Sequence, residues 1–193
     1  PASRKALNTP EDAPVALALA RLHEKKGLDT LLDATAKIDG LYVWIAGEGP
    51  LEQELKAHCA RLGLDDRVRF LGWRNDRGAL LAACDVVAFP SRYEPFGTVT
   101  VDAWAGSRPL VAADAVGPAA YVKDGVNGLL IPKNDVDALA DALRKVVTDK
   151  DLAAKLVAGG RASYEAQFTK AVFQRDSIAL YEKIAAHAGP FAG

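Results

Sequence analysis

The feature that most constrains the fold is a regular alternation between short apolar runs and longer segments with apolar residues at helical spacing. Continuous apolar runs of this length are typical of strands buried on both faces of a parallel sheet. After the first run, Leu28, Leu31 and Leu32 share a helical face, and that pattern ends at Asp39-Gly40. The alternation predicts a doubly wound parallel sheet. The six predicted strands are Val15–Ala20, Leu41–Ala46, Val68–Leu71, Val86–Phe89, Leu110–Ala113 and Gly128–Ile131.

The last third of the chain carries helical patterns without further strands. Asp135 precedes the first of these helices, so we interpret Asp135-x-Asp137 as an N-cap and first-turn charge and not as a metal-binding pair. The fold class is therefore predicted to be α/β, a Rossmann-like doubly wound sheet of six parallel strands with extra C-terminal helices. Further predicted helices are Leu51–Leu62, Arg77–Cys84, Val136–Val147, Lys150–Ala158 and Lys170–Ala186.

Length and charge favour one domain without a strongly charged surface. The chain of 193 residues is predicted to form a single domain over 1–193. Its net charge is −1, with 24 basic and 25 acidic residues, which gives no general attraction to nucleic acid or anionic membranes. Any phosphate-binding site must therefore be local.

The two cysteines and the hydropathy of the chain predict a soluble, cytoplasmic protein. Cys59 and Cys84 lie in apolar helical patterns without metal-ligand spacing, so we expect buried thiols in a reducing compartment. No apolar run approaches the roughly 18 residues of a membrane span. The chain contains no methionine and begins at Pro1, so we expect it to be part of a longer protein.

The stretch from Pro90 to Ala105 carries the strongest functional pattern. Glu94 lies in the loop after the fourth predicted strand, and Asp102 lies in the helix that begins near Gly97. Ligands of open parallel sheets bind at this end of the strands, and the N–H groups of a first helical turn face anions. The pair of acids therefore predicts a site for a sugar joined to a phosphate; the alternative is a loop glutamate and a solvated helix aspartate. The helix positions predicted to be buried are Val99, Val101 and Ala105.

Several blocks, in order along the chain, resemble one family. The spacing of Glu94 and Asp102 resembles the Glu-x7-Glu signature of retaining, nucleotide-sugar-dependent glycosyltransferases of family 4, with Asp102 in place of the usual second Glu. Ala20–Gly27 is similar to the family's Gly-Arg-Leu-x3-Lys-Gly block, and Ala46–Leu51 to its Ala-Gly-x-Gly-Pro-Leu turn. Further similar blocks are Phe70-Leu71-Gly72, Gly117-Pro118 and Asp124–Leu130.

The resemblance implies the C-terminal, donor-binding half of a two-domain GT-B fold. The N-terminal acceptor-binding half would then be missing, and a helix at about 165–188 would cross to it. Apolar residues of this region would partly face solvent in that case; the alternative is that they pack on their own domain. These residues are Phe168, Phe173, Ile178, Tyr181 and Ile184.

The resemblance also implies which residues act on the donor. Arg21 and Lys26 would grip the diphosphate and neutralise the departing nucleoside diphosphate, and Glu94 would bind hydroxyls of the sugar; these three are the predicted catalytic residues. Asp102 would hold the ribose, either through a closer backbone or through a bridging water, because Asp is shorter than Glu. The base would lie near the Gly47-Glu48-Gly49 turn and the Leu71-Gly72-Trp73-Arg74 segment and would meet main-chain groups. The predicted donor-binding residues are Asp102, Phe96, Gly97, Thr98, Gly47, Gly49, Leu71 and Gly72.

The predicted function is the donor-binding domain of a retaining glycosyltransferase of polysaccharide or lipopolysaccharide biosynthesis, inactive as an isolated fragment. The donor would be a UDP-, GDP- or ADP-sugar, with no metal or other cofactor, and any membrane contact would involve only the missing half. A non-catalytic nucleotide-sugar-binding module and a GT-B nucleotide-sugar isomerase remain alternatives. Three departures from the family pattern keep them open: Asp102, Ser107 in place of Gly, and Ala120 in place of Glu.

Overall fold

A computed structural model describes residues 2–187, with side chains from residue 4 onward. Its six parallel strands lie in the order β3-β2-β1-β4-β5-β6, which confirms the predicted doubly wound sheet. β1 lies at the centre, where Leu17 pairs with Trp44 of β2 on one side and with Val87 of β4 on the other. The strands are β1 Val15–Leu19, β2 Tyr42–Ala46, β3 Val68–Phe70, β4 Val86–Phe89, β5 Leu110–Ala113 and β6 Leu129–Ile131.

Helices cover both faces of the sheet, and alternate strand residues face each layer. Ala16 and Ala18 of β1 join one apolar cluster, and Val15 and Leu17 join the other. Helices α2 and α7 pack together over the first cluster, and α4 and α5 cover the second. The helices are α1 Ala2–Ala6, α2 Leu28–Ala36, α3 Glu52–Arg61, α4 Arg77–Ala83, α5 Thr98–Ala105, α6 Val116–Tyr121, α7 Val136–Thr148, α8 Lys150–Gln167 and α9 Lys170–His187.

Helix α8 is longer than its sequence pattern predicts. We expected it to end at Ala158, before two glycines, yet it continues to Gln167. The glycines allow close packing: a Cβ at Gly159 would lie 2.1 Å from the Val126 carbonyl oxygen, and one at Gly160 would lie 2.4 Å from Cδ1 of Trp104. Tertiary contact therefore outweighs the low helix propensity of glycine at this position.

Two further expectations differ from the structure, whereas the predicted N-cap is confirmed. The short helices α1 and α6 were not predicted. Helix α5 packs Ala103 and Trp104 against the second cluster and also buries Thr100. In this orientation Val99 and Val101 are only partly buried and Ala105 is exposed, which differs from the expectation. Asp135 caps α7 by accepting a hydrogen bond from the Ala138 N–H at 2.9 Å.

Helix α9 packs along α8, and none of its residues 170–187 is buried. Phe168, at the junction of the two helices, packs against the ring of Trp104 and so belongs to the core of the domain. The other predicted residues are more than half exposed: Phe173, Ile178, Tyr181 and Ile184. Among the helices of residues 2–187, none is long and apolar enough to cross a membrane.

Both cysteines are buried, as predicted. Burial raises the pKa of Cys59 to about 11 and that of Cys84 to about 12, so both remain neutral thiols near neutral pH. Each therefore behaves as a small apolar core residue.

Candidate donor-binding site

A cleft of about 640 Å³ opens at the carboxyl ends of β1 and β2, between the loops that follow them and the start of α5. The chain order of the strands reverses direction between β1 and β4, and this is the point where open α/β sheets bind ligands. The predicted residues Arg21, Gly47, Thr98 and Asp102 line the cleft. The remaining predicted residues lie outside its lining, in two groups. Lys26, Glu94, Phe96 and Gly97 lie in the loops after β1 and β4, and Gly49, Leu71 and Gly72 lie in the loops after β2 and β3.

Two predicted catalytic residues meet beside this cleft. Lys26 Nζ lies 2.6 Å from Glu94 Oε2, and the two side chains are only 24% and 16% exposed. The pair depends on Gly27, which has a φ of +62° and whose Cβ, if present, would lie 2.2 Å from the Pro90 carbonyl oxygen. A glycine there lets the loop after β1 lie directly on the loop after β4.

The Glu94 loop is also held from α6. The N–H of Gly117 donates to the Glu94 carbonyl at 2.8 Å. A Cβ on Gly117 would lie 2.5 to 2.7 Å from backbone atoms of Phe96, so only glycine permits this approach. The Gly117-Pro118 block therefore has a structural reason: it fixes the backbone that presents Glu94.

Arg92 links the two loops from the side, a role that no local sequence pattern indicated. Its Nη1 donates to the Glu24 carbonyl at 2.6 Å, its Nη2 donates to Asp29 Oδ2 at 2.7 Å, and its Nε contacts Asn134. Partial burial acts to raise the pKa of Asp29, but the hydrogen bond and charge of Arg92 outweigh it and leave that pKa below its usual value. Arg92 thus holds the loop of Lys26 against the loop of Glu94.

The aromatic ring of Phe96 is half-exposed and packs into the domain. Its centroid lies 5.6 Å from that of Tyr121 and 6.2 Å from that of Phe168. The Tyr121 hydroxyl donates to the Gly97 carbonyl at 3.4 Å. Burial, together with the charge of Glu94, raises the pKa of Tyr121 to about 12. The Glu94 loop is therefore supported by an aromatic cluster from beneath.

The predicted glycine turn after β2 closes against the loop after β1. A Cβ at Gly47 would lie 1.9 Å from the Ala20 carbonyl oxygen, and one at Gly49 would lie 2.3 Å from that of Leu22. The Leu22 N–H donates to the Glu48 carbonyl at 2.9 Å. Packing between the two loops therefore explains both glycines, whether or not a ligand contacts them.

The two segments predicted to surround the base are adjacent. Gly72 accepts a hydrogen bond from the Gly47 N–H at 2.8 Å, and Leu71 extends the pairing with β2. Gly72 has a φ of +62°, and after it the Trp73 N–H donates to Glu48 Oε1 at 3.3 Å. The turn after β2 and the loop after β3 thus form one wall.

Asp102 faces a cation that the sequence analysis missed. Arg77 Nη1 lies 3.0 Å from Asp102 Oδ2, in a partly exposed ion pair. Arg21 and Arg74 also line the cleft. Arg74 pairs with Asp76, as Arg77 does with Asp102, so Arg21 is the guanidinium group of the cleft that forms no ion pair within residues 4–187. Its local positive charge suits an anionic ligand although the whole chain is nearly neutral. Within residues 2–187, no cluster of His, Cys, Asp or Glu is arranged to hold a metal ion.

Comparison with known proteins connects this geometry to one family. The profile of the family described as "Glycosyl transferases group 1" matches residues 1–163. The lipopolysaccharide core biosynthesis glycosyltransferase LpsE of Rhizobium meliloti (strain 1021) is 37% identical over 167 residues, which cover 86% of this chain and 49% of LpsE. A D-inositol 3-phosphate glycosyltransferase of Saccharomonospora viridis is 39% identical over 176 residues, covering 83% of this chain and 41% of the relative.

Comparison with solved structures also leads to a glycosyltransferase. Anabaena Alr3699/HepE, crystallised in complex with UDP and glucose, superposes with a TM-score of 0.85 and 32% identity, over 93% of this chain and 51% of HepE. The match confirms the predicted Rossmann-like fold and its GT-B architecture. The chain spans about half the length of the curated relatives that it matches. From the family profile, the relatives and the fold together, this chain belongs to the group 1 glycosyltransferases.

Proposed function

We propose that this chain is the donor-binding part of a retaining glycosyltransferase, which transfers a sugar from a nucleoside diphosphate to an acceptor held by a further domain. One observation carries the proposal. The four charged residues predicted from the sequence converge on the switch point of the sheet, with Arg21 and Asp102 in the cleft and Lys26 paired to Glu94 beside it. A module that only bound nucleotides would not need the second pair.

Different residues of the site bind different parts of the donor. Arg21 presents a planar fork to the diphosphate, and Lys26 adds a point charge. As the bond to the sugar breaks, negative charge develops on the departing diphosphate, and these cations stabilise it. Glu94 accepts hydrogen bonds from sugar hydroxyls, which compete for the carboxylate that Lys26 holds in the free protein. Asp102 accepts hydrogen bonds from the ribose.

UDP is the first nucleotide to test, since the similar HepE was crystallised with UDP and with UDP-glucose. We propose that binding needs no metal, because Arg21, Lys26 and the N-terminus of α5 supply positive charge where the diphosphate would lie. The relation to LpsE favours an acceptor in lipopolysaccharide or another polysaccharide. A cytoplasmic location remains a prediction.

Calorimetry with UDP, GDP and ADP, each with and without EDTA, tests the proposal. We expect one of them to bind with a dissociation constant in the micromolar to millimolar range, about 4 to 8 kcal/mol. Arg21→Ala should weaken diphosphate binding by about 1.5 to 3 kcal/mol, the value of a hydrogen bond to a charged group, and leave uridine binding unchanged. Arg175→Ala, an exposed arginine of α9 that pairs with Asp176, is the matched control. Failure of all three diphosphates at millimolar concentration would refute the donor site.

A further inference from the structure

Trp73 differs from the other tryptophans of the chain in its surroundings. Trp44 and Trp104 are 0% and 1% exposed, whereas Trp73 is 73% exposed and lines the donor cleft. Leaving the largest apolar side chain in water forgoes the free energy that its burial would supply. An exposed indole at the wall of a cleft is therefore a candidate contact for a ligand.

The Trp73 ring is held in place before any ligand arrives. Its indole N–H donates to Asn75 Oδ1 at 3.1 Å, and its backbone N–H donates to Glu48 Oε1 at 3.3 Å. The positive φ of Gly72 turns the chain just before it. An indole held by one hydrogen bond of its own, on a backbone held by another, loses little conformational freedom on binding, so its contacts add to affinity more fully than those of a mobile side chain.

The cleft also offers suitable groups for the remaining parts of a nucleotide. Arg21 can bind phosphate oxygens, and the Asp102 carboxylate can accept from hydroxyls. Trp73 adds a flat apolar surface to the same cleft, whose volume of about 640 Å³ is that of a small-molecule site. A nucleoside diphosphate has one flat aromatic part, its base, whose face can lie against an indole.

We propose that the indole of Trp73 is the surface on which the base of the donor nucleotide stacks. The inference rests on the proposed function and adds a side-chain contact where we had expected main-chain groups alone. Every base has a π-face, so stacking tolerates different bases. Trp73 therefore contributes affinity for the nucleoside part without selecting UDP over GDP or ADP.

Binding of UDP and of inorganic pyrophosphate to the chain tests this proposal, with calorimetry and tryptophan fluorescence as readouts. Trp73→Ala should weaken UDP binding roughly 5- to 150-fold, the measured range for one base on one aromatic side chain, and leave pyrophosphate binding unchanged. Trp73→Phe, which keeps a ring, should restore most of the loss. Tyr181→Ala removes an aromatic side chain of similar exposure on α9 and should change neither affinity.

Fluorescence gives an independent readout because Trp73 is the exposed tryptophan. UDP should quench the emission of the wild-type chain, pyrophosphate should not, and Trp73→Ala should abolish the effect. Wild-type binding of UDP that Trp73→Ala leaves unchanged would overturn the stacking alone, and an equal loss for pyrophosphate would show that Trp73 only shapes the loop. No binding of UDP, GDP or ADP by the wild type would overturn the proposed function, and this inference with it.

Discussion

Gly117→Ala should move the loop that carries Glu94 without removing any charged group from the donor site. The new Cβ would lie 2.5 Å from the Phe96 carbonyl oxygen, 2.6 Å from its carbonyl carbon and 2.7 Å from its nitrogen. All three are backbone atoms, so no side-chain rotation relieves the overlap. Ordinary contact begins at 3.4 Å, and the loop must therefore move by several tenths of an ångström to almost 1 Å.

This shift should cost both stability and function. Overpacking of a tight contact typically lowers the free energy of unfolding by about 1 to 3 kcal/mol, which for a chain of this size corresponds to a melting temperature lower by about 2 to 4 °C per kcal/mol. The same shift moves Glu94, whose carbonyl accepts from the Gly117 N–H, away from Lys26. A displacement near 1 Å can reduce a reaction rate about 100-fold.

The assay combines thermal unfolding, UDP affinity and sugar transfer by the full-length protein. Transfer should fall far more than UDP affinity, because the cleft residues Arg21 and Asp102 lie on other segments. Gly78→Ala is the matched control: Gly78 lies in α4 with nothing within 4 Å of its Cβ position. That control should be neutral or slightly stabilising. Unchanged stability and transfer in Gly117→Ala would refute the argument that this glycine positions Glu94.

Two other substitutions test the packing and titration of the aromatic cluster. Gly160→Ala should lower the free energy of unfolding by about 1 to 3 kcal/mol, although alanine has the better helix propensity. The new Cβ would displace the Trp104 ring, whose N–H donates to the Asn127 carbonyl at 2.7 Å. Urea denaturation measures this change, and a variant more stable than the wild type would contradict the prediction. The pKa of Tyr121 is about 12 in the fold and near 10 in the unfolded chain, so its contribution to stability is complete below about pH 10 and is lost as the pH rises toward 12. Tyr121→Phe should therefore lose less stability than the wild type between about pH 9 and pH 12, and parallel curves would show that Tyr121 is not the titrating group.

The sequence predicted the sheet well because its signals are local. Five of the six strands are continuous apolar runs, and only β3 carries a charged residue, Arg69. Such runs are typical of strands buried on both faces of a parallel sheet. The end of α8 was wrong for the opposite reason. Gly159 and Gly160 resemble a helix stop in isolation, and their contacts with Val126 and Trp104 exist only once distant segments pack together.

The candidate site was predicted residue by residue but not as a set of contacts. Lys26 and Glu94 belong to separate sequence blocks, and their pairing arises only when the loops after β1 and β4 meet. Arg92 and Arg77 carry no local pattern, because an arginine in a loop or at a helix start is usually solvated. Only the tertiary structure shows that each predicted acid has a basic partner, Lys26 for Glu94 and Arg77 for Asp102.

The most direct test of the account is a pair of affinities, for UDP and for UDP-glucose, measured on Glu94→Gln and Asp102→Ala. Glu94→Gln removes the charge that holds Lys26, so the affinity for UDP should be retained or increased. The additional affinity that the glucose gives to UDP-glucose over UDP should be lost. Asp102→Ala should weaken both ligands alike, by about 1.5 to 3 kcal/mol. If Glu94→Gln weakened both equally and Asp102→Ala weakened neither, the division of the donor between these two carboxylates would be wrong.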